Sequence, residues 1–256
     1  MTGPSSDRRS VPSPPRYYGD DLTYVHDAGH GDPARAAAAV LIELLQRSRA
    51  TRGRVVDLGC GSGILARALL DAGYEVTGID LSEAMITMAR ERAPGADLQV
   101  GSFLDAEMPD CVAVTAIGEC FSYLFDERAG GPGLERLFER LHRALVPGGV
   151  LLFDVAAPGR VRGTSPQRTW REGGDWAVLV EVDEDVTARR LTRAITTFRA
   201  TGEAWRRDHE VHTLRSYARR ELETRLRAVG FRVRPLAGYG VLRFVPGQIG
   251  FCARKP

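Results

Sequence analysis

The chain has 256 residues, 43% of them hydrophobic, and a formal net charge of +2: enough for one large packed domain or a domain with an insertion, without the charge imbalance a polyanion partner demands. Acidic and basic residues are interspersed and no apolar run reaches the roughly 20 residues of a membrane span, so no nucleic-acid and no membrane partner is expected. Cys60, Cys111, Cys120 and Cys252 form no C-x-x-C pair and have no histidine at metal-ligand spacing, which indicates neither a metal site nor a disulfide framework and fits a reducing, cytoplasmic compartment.

Residues 1–16, with Pro4, Pro12, Pro14 and Pro15 among serines, are too polar to bury and lack the apolar core of a signal peptide, so they are expected as a disordered tail. The next stretch places Tyr17, Tyr18, Tyr24, His26 and His30 ahead of the first strong helix. That helix is predicted from Pro33 to Arg47, with Asp32 as N-cap and a stripe of Ala37, Val40, Leu41, Leu44 and Leu45 at helical spacing. The tyrosines have a bland reading, that they staple this helix to the core.

From Arg54 the pattern alternates strand and helix. Val55-Val56-Asp57-Leu58 runs into Gly59-Cys60-Gly61-Ser62-Gly63 and then a helix, Ile64–Asp71, that stops at Gly73. Glycines at such a turn allow positive φ and close approach of a ligand, and the helix start offers unpaired N–H donors and a partial positive charge. The spacing is not G-x-G-x-x-G, and no Gly-Lys-Ser/Thr follows, so the dinucleotide and phosphate-loop patterns are both rejected. The stretch resembles motif I of the class I S-adenosylmethionine-dependent methyltransferases: two apolar residues, an acid, an apolar residue, then Gly-x-Gly-x-Gly. The resemblance implies an α/β, doubly wound, Rossmann-like seven-stranded sheet with strand seven antiparallel, S-adenosyl-L-methionine as cofactor, and Asp57, Gly59, Cys60, Gly61 and Gly63 in the donor site. It also implies that the segment before the first strand folds over the donor, which makes residues 17–50 a helical lid and Tyr24 a donor contact.

Strand two, Tyr74–Ile79, ends at Asp80, and Ser82 caps a helix carrying Met85, Ile86 and Ala89. A carboxylate at this distance beyond the glycine turn is where such a fold binds ribose, so Asp80 is expected to accept from both ribose hydroxyls, with Leu81 or Met85 against adenine. Strand three, Asp97–Val100, leads to Gly101-Ser102-Phe103-Leu104-Asp105. Many relatives carry Asp where this chain has Ser102. Either the Ser102 hydroxyl takes over the adenine amino group, or Asp105 reaches in, or the amino group meets water; Ser102 with the Phe103 backbone is the choice here. Strand four, Val112–Ala116, opens into Ile117-Gly118-Glu119-Cys120-Phe121-Ser122-Tyr123. The resemblance places the donor's amino group at the Ile117 and Gly118 backbone and the transferred methyl beside Glu119 and Tyr123. No Asn/Asp-Pro-Pro-aromatic tetrapeptide occurs, which separates the chain from amino-directed DNA methyltransferases. Helix Leu134–Leu145 closes at Pro147-Gly148-Gly149, a turn that recurs in the family, before strand five, Val150–Val155; His142 reads as a surface histidine.

Residues 160–215 break the alternation. Trp176–Val182, Leu191–Phe198 and Trp205–Leu214 read as three strands with no crossover helix, hence antiparallel. This insertion after strand five resembles that of antibiotic-pathway amino-sugar N-methyltransferases. On its third strand Arg206, Asp208, Glu210 and His212 share one face and Arg207, His209, Val211 and Thr213 the other; one His-bearing face is expected to line the acceptor cavity. A helix with Leu222, Leu226 and Val229, then strands Phe231–Val233 and Gln248–Ala253, completes the chain. The expected division is a core of 51–159 and 216–256 and a lid of 160–215. The expected activity is methyl transfer to an oxygen or nitrogen of a small metabolite, in secondary metabolism, with His26, Glu119, Tyr123 and His212 as catalytic candidates. The alternative is a donor-binding subunit without catalysis; protein or tRNA methylation is disfavoured by the near-neutral charge and the insertion. Nothing in the sequence marks an oligomeric state.

Overall fold

The computed structural model describes residues 17–48, 52–126, 128–129 and 131–256; the expected tail over 1–16 lies outside them. A seven-stranded sheet carries the molecule, in the order β10-β13-β5-β4-β1-β2-β3. Its strands are β1 (Arg54–Leu58), β2 (Glu75–Asp80), β3 (Asp97–Val100), β4 (Cys111–Ala116), β5 (Leu145–Ala156), β10 (Arg232–Leu236) and β13 (Gln248–Arg254). β1 to β5 pair in parallel, whereas β13 runs antiparallel between β5 and β10. This is the seven-stranded, Rossmann-like sheet with an antiparallel seventh strand that the resemblance implied.

Successive side chains of a strand point to opposite faces, and both faces here are covered. Val55, Ala113, Val150 and Leu152 pack under α2 (Asp32–Arg47) and α3 (Ile64–Asp71). Val56, Val114, Leu151 and Phe153 pack under α5 (Pro132–Ala144) and α6 (Arg219–Val229). In α5 the buried Leu134, Leu137, Phe138 and Leu141 repeat at three and four residues, the stripe that makes an amphipathic helix. α4 (Glu83–Arg92) lies so near the start of α3 that a Cβ on Gly63 would stand 3.0 Å from the Ala89 Cα. Glycine is required there by contact as well as by its φ of +77°.

Several sequence expectations change. The aromatic stretch contains a helix of its own, α1 (Asp20–His30), whose buried face is Asp21, Leu22, Thr23 and Val25, too mixed in polarity to show as a stripe. Asp32 is not the cap of α2 but its first residue; Gly31 holds the cap position, and the Asp32 carboxylate takes Arg35 instead. β5 begins at Leu145, because Leu145 pairs with Cys111 before the ladder shifts and resumes at Val150 opposite Ala113. His142 is half-buried against Phe231, with ring centroids 4.8 Å apart. A short hairpin, β11 (Gly238–Tyr239) with β12 (Leu242–Arg243), precedes β13.

The insertion has four strands rather than three: β6 (Gln167–Glu172), β7 (Trp176–Asp185), β8 (Arg190–Thr201) and β9 (Ala204–Arg215), an antiparallel meander. Every residue of β6 is exposed, so this edge strand has no buried side to impose alternation on its sequence. The inner face of the meander, through Trp176, Val178 and Ile195, buries Leu22 and Val25 of α1. Its far end is tied to the main sheet by backbone: Leu124 N–H donates to the Thr213 carbonyl at 2.9 Å, and Tyr217 N–H to the Ala156 carbonyl at 2.8 Å.

Candidate active site

The carboxyl ends of β1, β2 and β4 form the floor of a cavity of about 420 Å³, roofed by α1 and by the inner face of the meander. Gly59 and Gly61 both take positive φ, +72° and +53°. A Cβ on Gly59 would come within 2.5 Å of the Cys120 Sγ, whereas above Gly61 the nearest atom is the Met85 sulfur at 3.9 Å and above Gly118 there is nothing within 4 Å. Bare backbone therefore faces open space at Gly61 and Gly118. Asp80 bridges this floor, accepting from Gly61 N–H at 2.9 Å and from Ser82 N–H at 2.9 Å. Burial raises its pKa, against the opposing pull of the Ser82, Gly61 and Leu81 amides.

Leu81, Met85, Ser102, Phe103, Ile117 and Gly118 line the same cavity as Gly59, Gly61 and Asp80. The Ser102 hydroxyl donates to Asp126 Oδ2 at 2.7 Å, so the acid beside Ser102 comes from the loop after β4. Asp105 forks with Arg128 on the exposed side, and the Arg128 guanidinium also holds the Asp126 carboxyl far below the usual range. Four expected donor residues lie outside the cavity lining. Cys60 packs with Ile86, Ala89 and Leu98 beneath the turn. Gly63 shapes the start of α3. Asp57 is buried and takes the Thr115 hydroxyl at 2.7 Å, its pKa raised to about 7 by burial, with the Asp80 charge adding to the rise. Tyr24 turns toward the meander, donating to Asp175 Oδ2 at 2.7 Å with the Arg199 guanidinium 3.8 Å above its ring.

At the other end the cavity is polar and crowded. Glu119 sits in a left-handed conformation, φ +66°, fixed because its N–H and that of Gly118 both donate to the Asp154 carboxylate, at 2.9 and 3.0 Å. Tyr239 and Gln248 complete the shell around Asp154, each at 2.8 Å. The Glu119 carboxylate accepts from Arg160 and Arg193, and Arg193 also reaches the Tyr123 hydroxyl at 3.2 Å. Burial works against the Glu119 charge, but Arg193 and Arg160 outweigh it and hold the carboxyl below its ordinary value. A carboxylate so paired orients guanidiniums and is a poor proton acceptor.

The Tyr123 hydroxyl pairs with that of Tyr18 at 2.9 Å. His26 lines the cavity edge-on to Tyr18 and stacks on His30. Burial, then the neighbouring His30, pushes the His26 imidazole down to about 4, so it is neutral at physiological pH, and its Nδ1 is buried without a partner among the described residues. Of the two faces of β9 the one with Glu210 and His212 turns inward, while His209 is exposed. His212 is wholly buried beneath Tyr18, Tyr123 and Phe125, behind the lining, with its Nε2 2.8 Å from Glu210 Oε2.

The roof is pinned by side chains. Glu210 accepts from the N–H groups of Tyr18 and Gly19 at 2.7 and 2.8 Å, and the Ser82 hydroxyl donates to the Tyr18 carbonyl at 2.7 Å. Asp27 of α1 accepts from the Ser62 hydroxyl at 2.6 Å and takes both arms of Arg92. The sequence placed Tyr18 in the aromatic stretch and Glu210 on a candidate face without giving either a role, and passed over Asp126, Asp154, Arg160 and Arg193. Only Asp154 left a signal, an acid at the end of the apolar run Val150–Phe153.

The family model described as a methyltransferase domain matches residues 55–149. The chain is 26% identical over 227 residues, 85% of its length and 90% of the relative's, to dTDP-3-amino-3,4,6-trideoxy-alpha-D-glucopyranose N,N-dimethyltransferase of Streptomyces venezuelae. It is 34% identical over 140 residues to trans-aconitate 2-methyltransferase of an Acidovorax species, and that match spans about half of each chain, 51% and 52%. Its fold is similar to that of CalS10 with S-adenosylmethionine bound, an amino pentose methyltransferase from Micromonospora echinaspora involved in calicheamicin biosynthesis. The TM-score is 0.72 at 21% identity, covering 95% of this chain and 100% of that one.

Proposed function

We propose that this chain, an S-adenosylmethionine-dependent methyltransferase by its matched domain and its fold, moves the methyl group onto a nitrogen or oxygen of a small metabolite. The observation that carries the reading is the roofed, half-enclosed cavity: about 420 Å³, with bare glycine backbone and a buried carboxylate at one end and a tyrosine pair, a neutral imidazole and two guanidiniums at the other. That is room for a donor's reactive end and a small acceptor, not for a folded macromolecule. Secondary metabolism is the setting suggested by the amino-sugar relatives, and a cytoplasmic location accords with free thiols on all four cysteines. Among the described residues no helix is long and apolar enough to cross a membrane.

S-adenosylmethionine, when bound, supplies a methyl group already activated by its sulfonium. What the protein adds is placement: holding two reactants in line is worth roughly 7–11 kcal/mol. In this reading Gly59, Gly61, Gly118 and Ile117 give backbone contacts, Asp80 takes the ribose hydroxyls, Leu81, Met85 and Phe103 flank the adenine, and Ser102 with Asp126 meets its amino group. Asp57, Cys60 and Gly63 shape the turn from behind. Tyr18 and Tyr123 orient the acceptor, and neutral His26, a weak base with its pKa held down to about 4, can accept a hydrogen bond from it. His212 acts behind them by fixing Glu210. The core of 51–159 and 216–256 then holds the donor, 17–50 closes over it, and 160–215 covers the acceptor.

The test is calorimetry with S-adenosylhomocysteine followed by a turnover screen. Asp80→Ala is expected to weaken binding about tenfold or more, the loss of roughly 1.5–3 kcal/mol of charge-assisted hydrogen bonding; unchanged affinity removes Asp80 from the site. Release of S-adenosylhomocysteine with amine- or hydroxyl-bearing metabolites separates an enzyme from a donor-binding subunit.

A further inference from the structure

At the acceptor end of the cavity two guanidiniums share one carboxylate as their side-chain ion-pair partner. Arg160, on the segment after β5, and Arg193, on β8, come from different layers of the molecule yet converge on one carboxylate, that of Glu119. Their side chains are each 16% exposed and that of Glu119 is 5% exposed, so the group is sheltered from solvent. Beyond Glu119, Arg160 has one further acceptor, the Gly247 carbonyl at 2.9 Å, and Arg193 has the Tyr123 hydroxyl. Arg160 Nε is buried with no partner among the described residues. Two guanidiniums carry ten N–H donors in rigid forks shaped for carboxylate or phosphate oxygens. A sheltered guanidinium with unused donors is costly unless an acceptor joins it.

The position sets this group apart from the ribose and adenine end of the donor site. In the sheet order, Asp80 ends β2 and Ser102 follows β3, at one side of β1; Glu119 follows β4 and Arg160 follows β5, on the other. Resting on the methyl-transfer reading above, we infer that Arg160 and Arg193 form an anion site for the acceptor, with the Glu119 carboxylate as its resident counter-ion. The acceptor class is a small molecule bearing a carboxylate or phosphate alongside the nitrogen or oxygen that is methylated. Glu119 lies on a backbone fixed by Asp154, so its carboxylate shares the guanidiniums with the incoming anion at an edge of the forks. The anion anchors the substrate, and the Tyr18–Tyr123 hydroxyl pair, in contact with Arg193, lies next to it.

The experiment titrates pyrophosphate and, separately, malonate into protein saturated with S-adenosylhomocysteine, at fixed ionic strength, by calorimetry. At least one dianion is expected to bind, about tenfold or more weaker in Arg160→Gln and in Arg193→Gln, and several-fold tighter in Glu119→Gln, which removes the internal competitor. Tighter pyrophosphate assigns the site to phosphate-bearing acceptors and tighter malonate to carboxylates. The double variant Arg193→Gln/Glu119→Gln, which strands no buried carboxylate, serves if Arg193→Gln alone fails to fold, and it too must bind more weakly than Glu119→Gln. Absence of dianion binding, or binding indifferent to the arginines, overturns the inference while leaving methyl transfer intact. A loss of S-adenosylhomocysteine affinity in the arginine variants places the guanidiniums on the donor and overturns it as well. Failure of the wild-type chain to bind S-adenosylhomocysteine at all is the separate result that defeats the methyl-transfer reading.

Discussion

Two buried groups show how this site stores charge preferences. His26 is pushed from 6.5 down to about 4. Between those values the unfolded chain is protonated at His26 and the folded one is not, so stability is full above about 6.5 and falls as pH drops toward 4, by roughly 3 kcal/mol. Asp57 has the opposite sign: with its pKa raised to about 7 it keeps its proton in the fold, and its contribution is lost as pH rises from 3.8 through 7. The two oppose each other in the wild type, so the readout is a difference: denaturation of His26→Phe and wild type at pH 7.5 and 4.5 is expected to show the variant losing less stability on acidification. Asp154 is the third such group, an acceptor for Gly118, Glu119, Tyr239 and Gln248 at once. Asp154→Ala leaves those donors unpaired, and urea unfolding is expected to register a loss of about 2–5 kcal/mol.

At the scale of elements, α1 is the most dependent on its neighbours. It is 11 residues long, near the limit at which a helix stands alone. Its polar anchor is Asp27, bound to Ser62 in the glycine turn and to Arg92 at the end of α4. Asp27→Ala is expected to speed amide hydrogen exchange across α1 and to weaken S-adenosylhomocysteine severalfold, while the strands of the main sheet keep their protection. The same helix marks the boundary of what the sequence discloses. β1 through β5, α3, α4 and α6 could be read because apolar residues recur with a single period and end at Gly73, Ser82 or Gly230. α1 and β6 could not, since one buries Asp21 and Thr23 among its apolar residues and the other buries nothing. The proposed donor end rests on local spacing around Gly59–Gly63 and Asp80. The proposed acceptor end does so only at Glu119 and Tyr123, because Tyr18, Asp154, Arg160, Arg193 and Glu210 lie far apart in the chain and meet only through the packing of the main sheet, the meander and the segment before α1.

For the molecule as a whole, the roofed cavity sets a limit on what can be methylated. With donor carrying a tritiated methyl group, label is expected in small-molecule fractions and not in the protein or tRNA of a bacterial lysate; label in either macromolecule would show that the roof does not exclude them. The roof itself is attached unequally. On the meander side it is stitched by main-chain hydrogen bonds, Leu124 to Thr213 and Tyr217 to Ala156, and by the burial of Trp176 on α1. On the amino-terminal side Tyr18 and Gly19 are held by the Glu210 carboxylate and the Ser82 hydroxyl. Main-chain pairing of a sheet opens only with the sheet, whereas a few side-chain bonds release one at a time. Of the two attachments, the one at Tyr18–Gly19 is therefore the readier to give way, and it can do so without disturbing either sheet.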